Sequence, residues 1–106
     1  MIYHVYMLKS LGKNSVTYVG YTSNLKKRIM LHNNNKGAKF TKGRKWKLIY
    51  KEKLNSKSEA ISREYYIKNN RVFRNNIKIK YTWKFQYYFP IKKTFLLFIL
   101  VQSQFF

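Results

Sequence analysis

Cysteine and aspartate are absent, and acidic residues number only three against 23 lysines and arginines. Without cysteine there can be no disulfide, no thiolate zinc site and no cysteine nucleophile. The absence also fits a reducing compartment. The only carboxylate side chains are Glu52, Glu59 and Glu64. Two-metal hydrolysis needs several convergent carboxylates, so that chemistry is excluded. The paired acids of glycosidases are disfavoured for the same reason. Proline occurs once, at Pro90, and no apolar run approaches the ~18–20 residues that span a bilayer. The opening MIYHVYM lacks a basic segment followed by an apolar stretch, so no secretory signal is read and the expected location is the cytoplasm.

What remains is basic and aromatic. The formal net charge is +20, with ten Tyr and eight Phe. Such a balance favours a polyanionic partner, because each neutralised phosphate releases counterions. Nucleic acid is the first candidate and an anionic membrane surface the second. Codon bias from an AT-rich genome would raise Lys and Asn, but it does not account for so few acids. With 106 residues the chain has room for one domain with a modest core.

Residues 2–9 (IYHVYMLK) and 16–21 (VTYVGY) read as strands joined by the turn cluster SLGKNS, an antiparallel hairpin. Thr22 or Ser23 offers a cap for a helix to about Asn33, which the NNNKGAK tract ends, and Gly37 punctuates a basic loop through Lys45. Trp46 to Glu52 reads as a third strand. Ser56 or Ser58 caps a second helix to about Asn70, and RVFRNNIKIK suggests a third, short one. We expect one domain over residues 1–80 and an aromatic, apolar tail over 81–106. That tail is open to three readings: an added covering element, a functionless extension, or a weak membrane or partner contact through Phe95–Val101. Stable membrane insertion is not expected.

Stepping about 100° per residue along the second helix places Glu64 among Ala60, Ile61 and Ile67, with Glu59 on the opposite side. A carboxylate on an apolar stripe is costly unless it is paired or binds a metal. Both readings stand, because Lys68 is four residues on. Arg28 and His32 share one face of the first helix, a pairing suited to a phosphate and a moving proton or to an ordinary surface pair. Tyr6 and Tyr18 lie on the paired strands. Gly20 inside a strand suggests close backbone approach.

The order of these pieces resembles the GIY-YIG nuclease superfamily. His4-Val5-Tyr6 and Tyr18-Val19-Gly20 stand where its two tripeptides stand, separated by eleven residues. Asn24-Leu25-Lys26-Lys27-Arg28, His32-Asn33, Lys36 to Thr41, Trp46 to Tyr50 and Ala60 to Lys68 follow in the family's order, and the likeness covers about residues 1–78. His4 and Val5 replace the first Gly and Ile. Tyr21 stands where the excision-repair incision subunit has a Lys, so that residue's role does not transfer.

The resemblance implies an α/β fold of the α+β type, a three-stranded antiparallel sheet flanked by helices. It implies a metal-dependent DNA endonuclease, in repair or recombination, with Tyr6, Tyr18, Arg28, His32 and Glu64 as site residues. Glu64 would hold one divalent cation, Mg²⁺ or Mn²⁺. Either tyrosine would assist the attacking water, His32 would support it, and Arg28 would stabilise charge on phosphorus. The competing expectation is a nucleic-acid-binding protein of the same fold without efficient cleavage. DNA is the expected partner, and the oligomeric state is open. Lys36, Lys39, Lys42, Arg44 and Lys45 in the basic loop, with Arg71 and Arg74 downstream, are candidate phosphate contacts. Charge for solubility alone would explain them equally well.

Overall fold

Val5, Tyr6, Met7 and Leu8 are fully buried, so the first strand is covered on both faces. The computed structural model describes residues 1–86. Its elements are β1 (Tyr3–Ser10), β2 (Thr17–Thr22), α1 (Leu25–Asn33), a short 3-10 turn (Lys39–Thr41), β3 (Trp46–Leu54), α2 (Lys57–Lys68) and α3 (Arg71–Gln86). Both strand pairs are antiparallel and the order is β2-β1-β3, which makes β1 central. The fold is α+β, as the resemblance implied.

Alternation along β1 divides the core in two. Val5 and Met7 join Val19, Ala60, Ile67 and Ile77, so α2 and α3 cover that face. Tyr6 and Leu8 join Trp46, with Leu25 and Ile29 of α1 packed against them. On the outer strand β3, Lys47, Lys51 and Lys53 remain exposed.

The helix ends differ in detail from expectation. Asn24 caps α1, its Oδ1 accepting from Lys27 N at 3.1 Å, while Thr22 Oγ1 accepts from Asn24 N at 3.1 Å. The threonine therefore shapes the turn before the cap. At the other end Asn35 takes the left-handed conformation (φ 62°). Ser56 caps α2, accepting from Glu59 N at 3.2 Å. The third helix is not short. It has 16 residues and runs past Lys80 to Gln86. Asn70 Oδ1 caps it through Phe73 N at 2.9 Å, and nothing from 71 to 86 is Gly or Pro. The Phe95–Val101 run lies outside the described residues. Among the described residues, no helix is long and apolar enough to cross a membrane.

Candidate active site

Tyr6 and Gly20 are Cα partners across the β1–β2 pair. A Cβ on Gly20 would lie 2.6 Å from the Tyr6 hydroxyl and 3.0 Å from Tyr18 Cε1. The missing side chain is thus the space into which Tyr6 extends. From there its hydroxyl reaches His32 Nε2 at 2.7 Å, and both residues are fully buried. The Tyr18 ring completes the cluster, 4.9 Å from the His32 ring and 6.3 Å from that of Tyr6.

The other side of His32 is set by the 3-10 turn. Its Nδ1 lies 2.9 Å from Thr41 Oγ1. Thr41 Oγ1 donates to Ala38 O at 2.9 Å and accepts from Ala38 N at 3.1 Å. A hydroxyl has one proton, so toward the ring Thr41 accepts. This assigns the proton of neutral His32 to Nδ1, leaving Nε2 to accept from the Tyr6 O–H. A Cβ on Gly37 would stand 2.2 Å from His32 Nδ1, so the missing side chain makes room for the ring. Asn33 ties the same region to β3. Its Oδ1 accepts from Trp46 N at 2.7 Å, and the Trp46 indole donates to Thr41 O at 2.9 Å.

Arg28, one turn before His32 on α1, lies close enough to the Tyr6 and Tyr18 hydroxyls for each to influence its charge. Burial opposes its charge, but the two hydroxyls outweigh burial and hold its pKa above the ordinary value. Burial pushes Tyr6 up to about 12, with Arg28 pulling the other way. Burial, then the Arg28 charge, lowers His32 to about 4. At neutral pH Tyr6 is therefore a phenol, His32 a neutral imidazole and Arg28 a guanidinium.

Glu64 comes from the opposite face of the sheet. It shares with Tyr18, Gly20, Arg28, Lys57 and Lys68 a cleft of about 570 Å³ along β2. The side chain is 17% exposed, and Oε1 takes an ion pair from Lys68 Nζ at 2.7 Å. The i,i+4 pair weighed from sequence is therefore formed, and the carboxylate also faces the cleft. The inward line of α2 runs through Ala60, Glu64 and Ile67. Ile61, expected beside them, is 46% exposed because the helix contacts the sheet one residue off that line.

Among the described residues, no three His, Cys, Asp or Glu side chains converge. The donor set still fits a hard divalent cation, since Mg²⁺ is commonly held by one or two carboxylates with water and substrate oxygens completing its shell.

The candidate phosphate contacts are not equivalent. Lys36, Lys39, Lys42 and Arg71 are exposed. Lys45 Nζ donates to Asn33 O at 2.8 Å, and Arg44 Nη1 lies 3.4 Å from Ser10 Oγ and Asn14 O. Arg74 donates to Ile67 O at 2.9 Å and to Lys68 O, closing the end of α2. Its guanidinium also lines a recess with Tyr18 and Lys68. Sequence reasoning missed Lys57 and Lys68 as cleft residues, although their offsets from Glu64 along α2 keep all three on one face. It also missed Thr41, which has no periodic relation to His32.

Thr41→Val keeps the shape and removes the hydroxyl. It is expected to cost about 1–3 kcal/mol of stability in urea unfolding, because His32 Nδ1 and Ala38 N lose a buried partner. Nitrogen-15 shifts of His32 should then show the Nε2–H tautomer entering. A ring that keeps its single tautomer in this variant would show that Thr41 does not orient it.

A family model described as the GIY-YIG catalytic domain matches residues 2–78. A UPF0213 protein of Clostridium perfringens is 54% identical over 66 residues, covering 61% of this chain and 69% of that protein. A UPF0213 protein of Staphylococcus haemolyticus is 49% identical over 67 residues, covering 62% of this chain and 79% of that one. The solution NMR structure of a UPF0213 protein from Bacillus halodurans is similar at a TM-score of 0.45 and 35% identity, over 73% of this chain and 82% of that chain.

Proposed function

Since the chain belongs to the GIY-YIG catalytic-domain family, we propose that it is a metal-dependent DNA endonuclease that hydrolyses phosphodiester bonds, with a role in DNA repair or recombination. The observation that supports this best is that Tyr18, Arg28 and Glu64, from both faces of the sheet, line one cleft. A phosphate entering there meets Arg28, Lys57 and Lys68, which match its charge.

The two tyrosines divide the work. Moving the Tyr6 proton to His32 sets a phenol at about 12 against an imidazolium at about 4. Burial opposes both ends of that transfer, so the pair is ill suited to serve as the proton acceptor. Tyr6 and His32 instead hold Arg28 in place from behind. Tyr18 lines the cleft beside Arg28, where a water attacking the phosphate would stand, so it is the group we assign to that water. Arg28 then stabilises the charge that builds on the non-bridging oxygens. Glu64 would hold a divalent cation, which would supply Lewis acidity at the scissile phosphate.

Purified protein is expected to nick or cut DNA with Mg²⁺ or Mn²⁺ and to stop when EDTA is added. Duplex, flap, single-stranded and junction substrates should be tried together. Binding to these DNAs with no metal-dependent cleavage of any would leave a nucleic-acid-binding protein of the same fold.

A further inference from the structure

We propose that Phe40 is a stacking platform for an unpaired DNA base beside the scissile phosphate, so that the substrate enters the cleft with at least one nucleotide out of its duplex. The proposal rests on the nuclease reading for what happens next to that base, but the binding it describes can be measured without cleavage. Phe40 is 58% exposed, at the centre of the turn Lys39–Thr41. Its exposure is imposed by the fold. Thr41, the next residue, is fully buried against His32, and the Trp46 indole holds the Thr41 carbonyl. The turn therefore cannot roll to bury Phe40 without unmaking the site.

The Phe40 ring stands 6.3 Å from the Tyr18 ring, nearly parallel at 20°. Tyr18 in turn lines the cleft with Arg28 and Glu64. A base laid on Phe40 is therefore one aromatic ring away from the groups that would act on its phosphate. Exposed lysines, Lys39 and Lys42, flank the ring, and the sequence from 33 to 51 holds no acid. An aromatic face set among cations suits a nucleotide, whose base stacks while its phosphate pairs. Other exposed apolar side chains such as Met30, Tyr65 and Val72 have no ring contact with Tyr18. In an intact duplex both faces of a base are already stacked, so a single exposed ring selects bases that are free. Stacking of this kind tolerates any base, because each has a π-face.

The test compares a single-stranded oligonucleotide with a blunt duplex of the same sequence, both in EDTA so that neither is cut. Phe40→Ala is expected to weaken single-strand binding about tenfold and to leave duplex binding within about twofold. Phe40→Trp should retain wild-type affinity, and Phe40→Leu should behave like the alanine variant. A 2-aminopurine in the single strand should be quenched by the wild-type protein and not by Phe40→Ala. Equal losses on both DNAs, or full affinity in Phe40→Leu, would overturn the proposal. Cleavage that persists with no effect of Phe40→Ala removes the stacking platform and keeps the nuclease. Single-strand preference that depends on Phe40, without cleavage under any metal, supports the platform and removes the nuclease.

Discussion

Glu64→Gln is expected to lower metal-dependent DNA cleavage on the order of 10³-fold while the protein stays folded and still binds DNA. No other carboxylate can take its place. Glu52 is held by Tyr50 and by Arg63, each at 2.5 Å, and Glu59 accepts from Asn55 N at 3.2 Å at the start of α2. The fold should hardly notice, because an i,i+4 pair with a half-exposed lysine is worth about 0.3–0.5 kcal/mol. Affinity for DNA should rise at low salt, since the cleft loses its one negative group and Lys68 is released to the phosphates. Cleavage rates, anisotropy and urea midpoints on the same preparation separate these effects. Cleavage within about tenfold of wild type would remove Glu64 as the metal ligand. A parallel fall in affinity and rate would make it a binding residue instead.

The second large effect is on stability in mild acid. His32 is lowered from 6.5 to about 4 by burial and by Arg28. As pH falls below 6.5, the unfolded chain takes up a proton that the folded protein refuses, so stability drops until the folded histidine titrates near 4. Over that window the loss is about 2–3 kcal/mol, a sizeable part of the ~5–15 kcal/mol typical of a domain. Only three glutamates are present to contribute a carboxylate term. Urea midpoints followed from neutral pH down through the window should fall steadily, and His32→Gln should flatten the slope even where it lowers the starting value. A wild-type profile that is flat there would mean that His32 is not held neutral.

The strands, the order of elements and the helix faces were legible in the sequence because each rests on local periodicity. Val5 to Leu8 read as a strand, and Arg28 and His32 read as neighbours, from spacing alone. Gly20 was legible as a place of close approach, and Tyr6 is what approaches. Three details were not legible. Three consecutive polar residues, Thr22, Ser23 and Asn24, all suit a cap, and only the chain's entry angle decides among them. Gly37 read as punctuation of the basic loop, and that its lack of a side chain is used by His32 is a long-range steric fact. Arg74 looked like a phosphate contact, yet it donates to carbonyls at the end of α2, because the tight turn at Asn69–Asn70 folds it back. Joining Glu64 to the tyrosine cluster needs two helices on opposite faces of one sheet, which the family resemblance supplied and local pattern did not.

The sheet has two open sides, β2 and β3, and the lysines along β3 bear on solubility. Lys47, Lys51 and Lys53 face solvent there, and like charges on an edge strand discourage a second copy from adding to it. The surplus proposed to draw the protein to a polyanion would thus also set copies apart at this edge. Nucleic acid present at charge balance cancels that repulsion, and copies are then free to associate along their strands. An excess of either component restores a net charge and redissolves them.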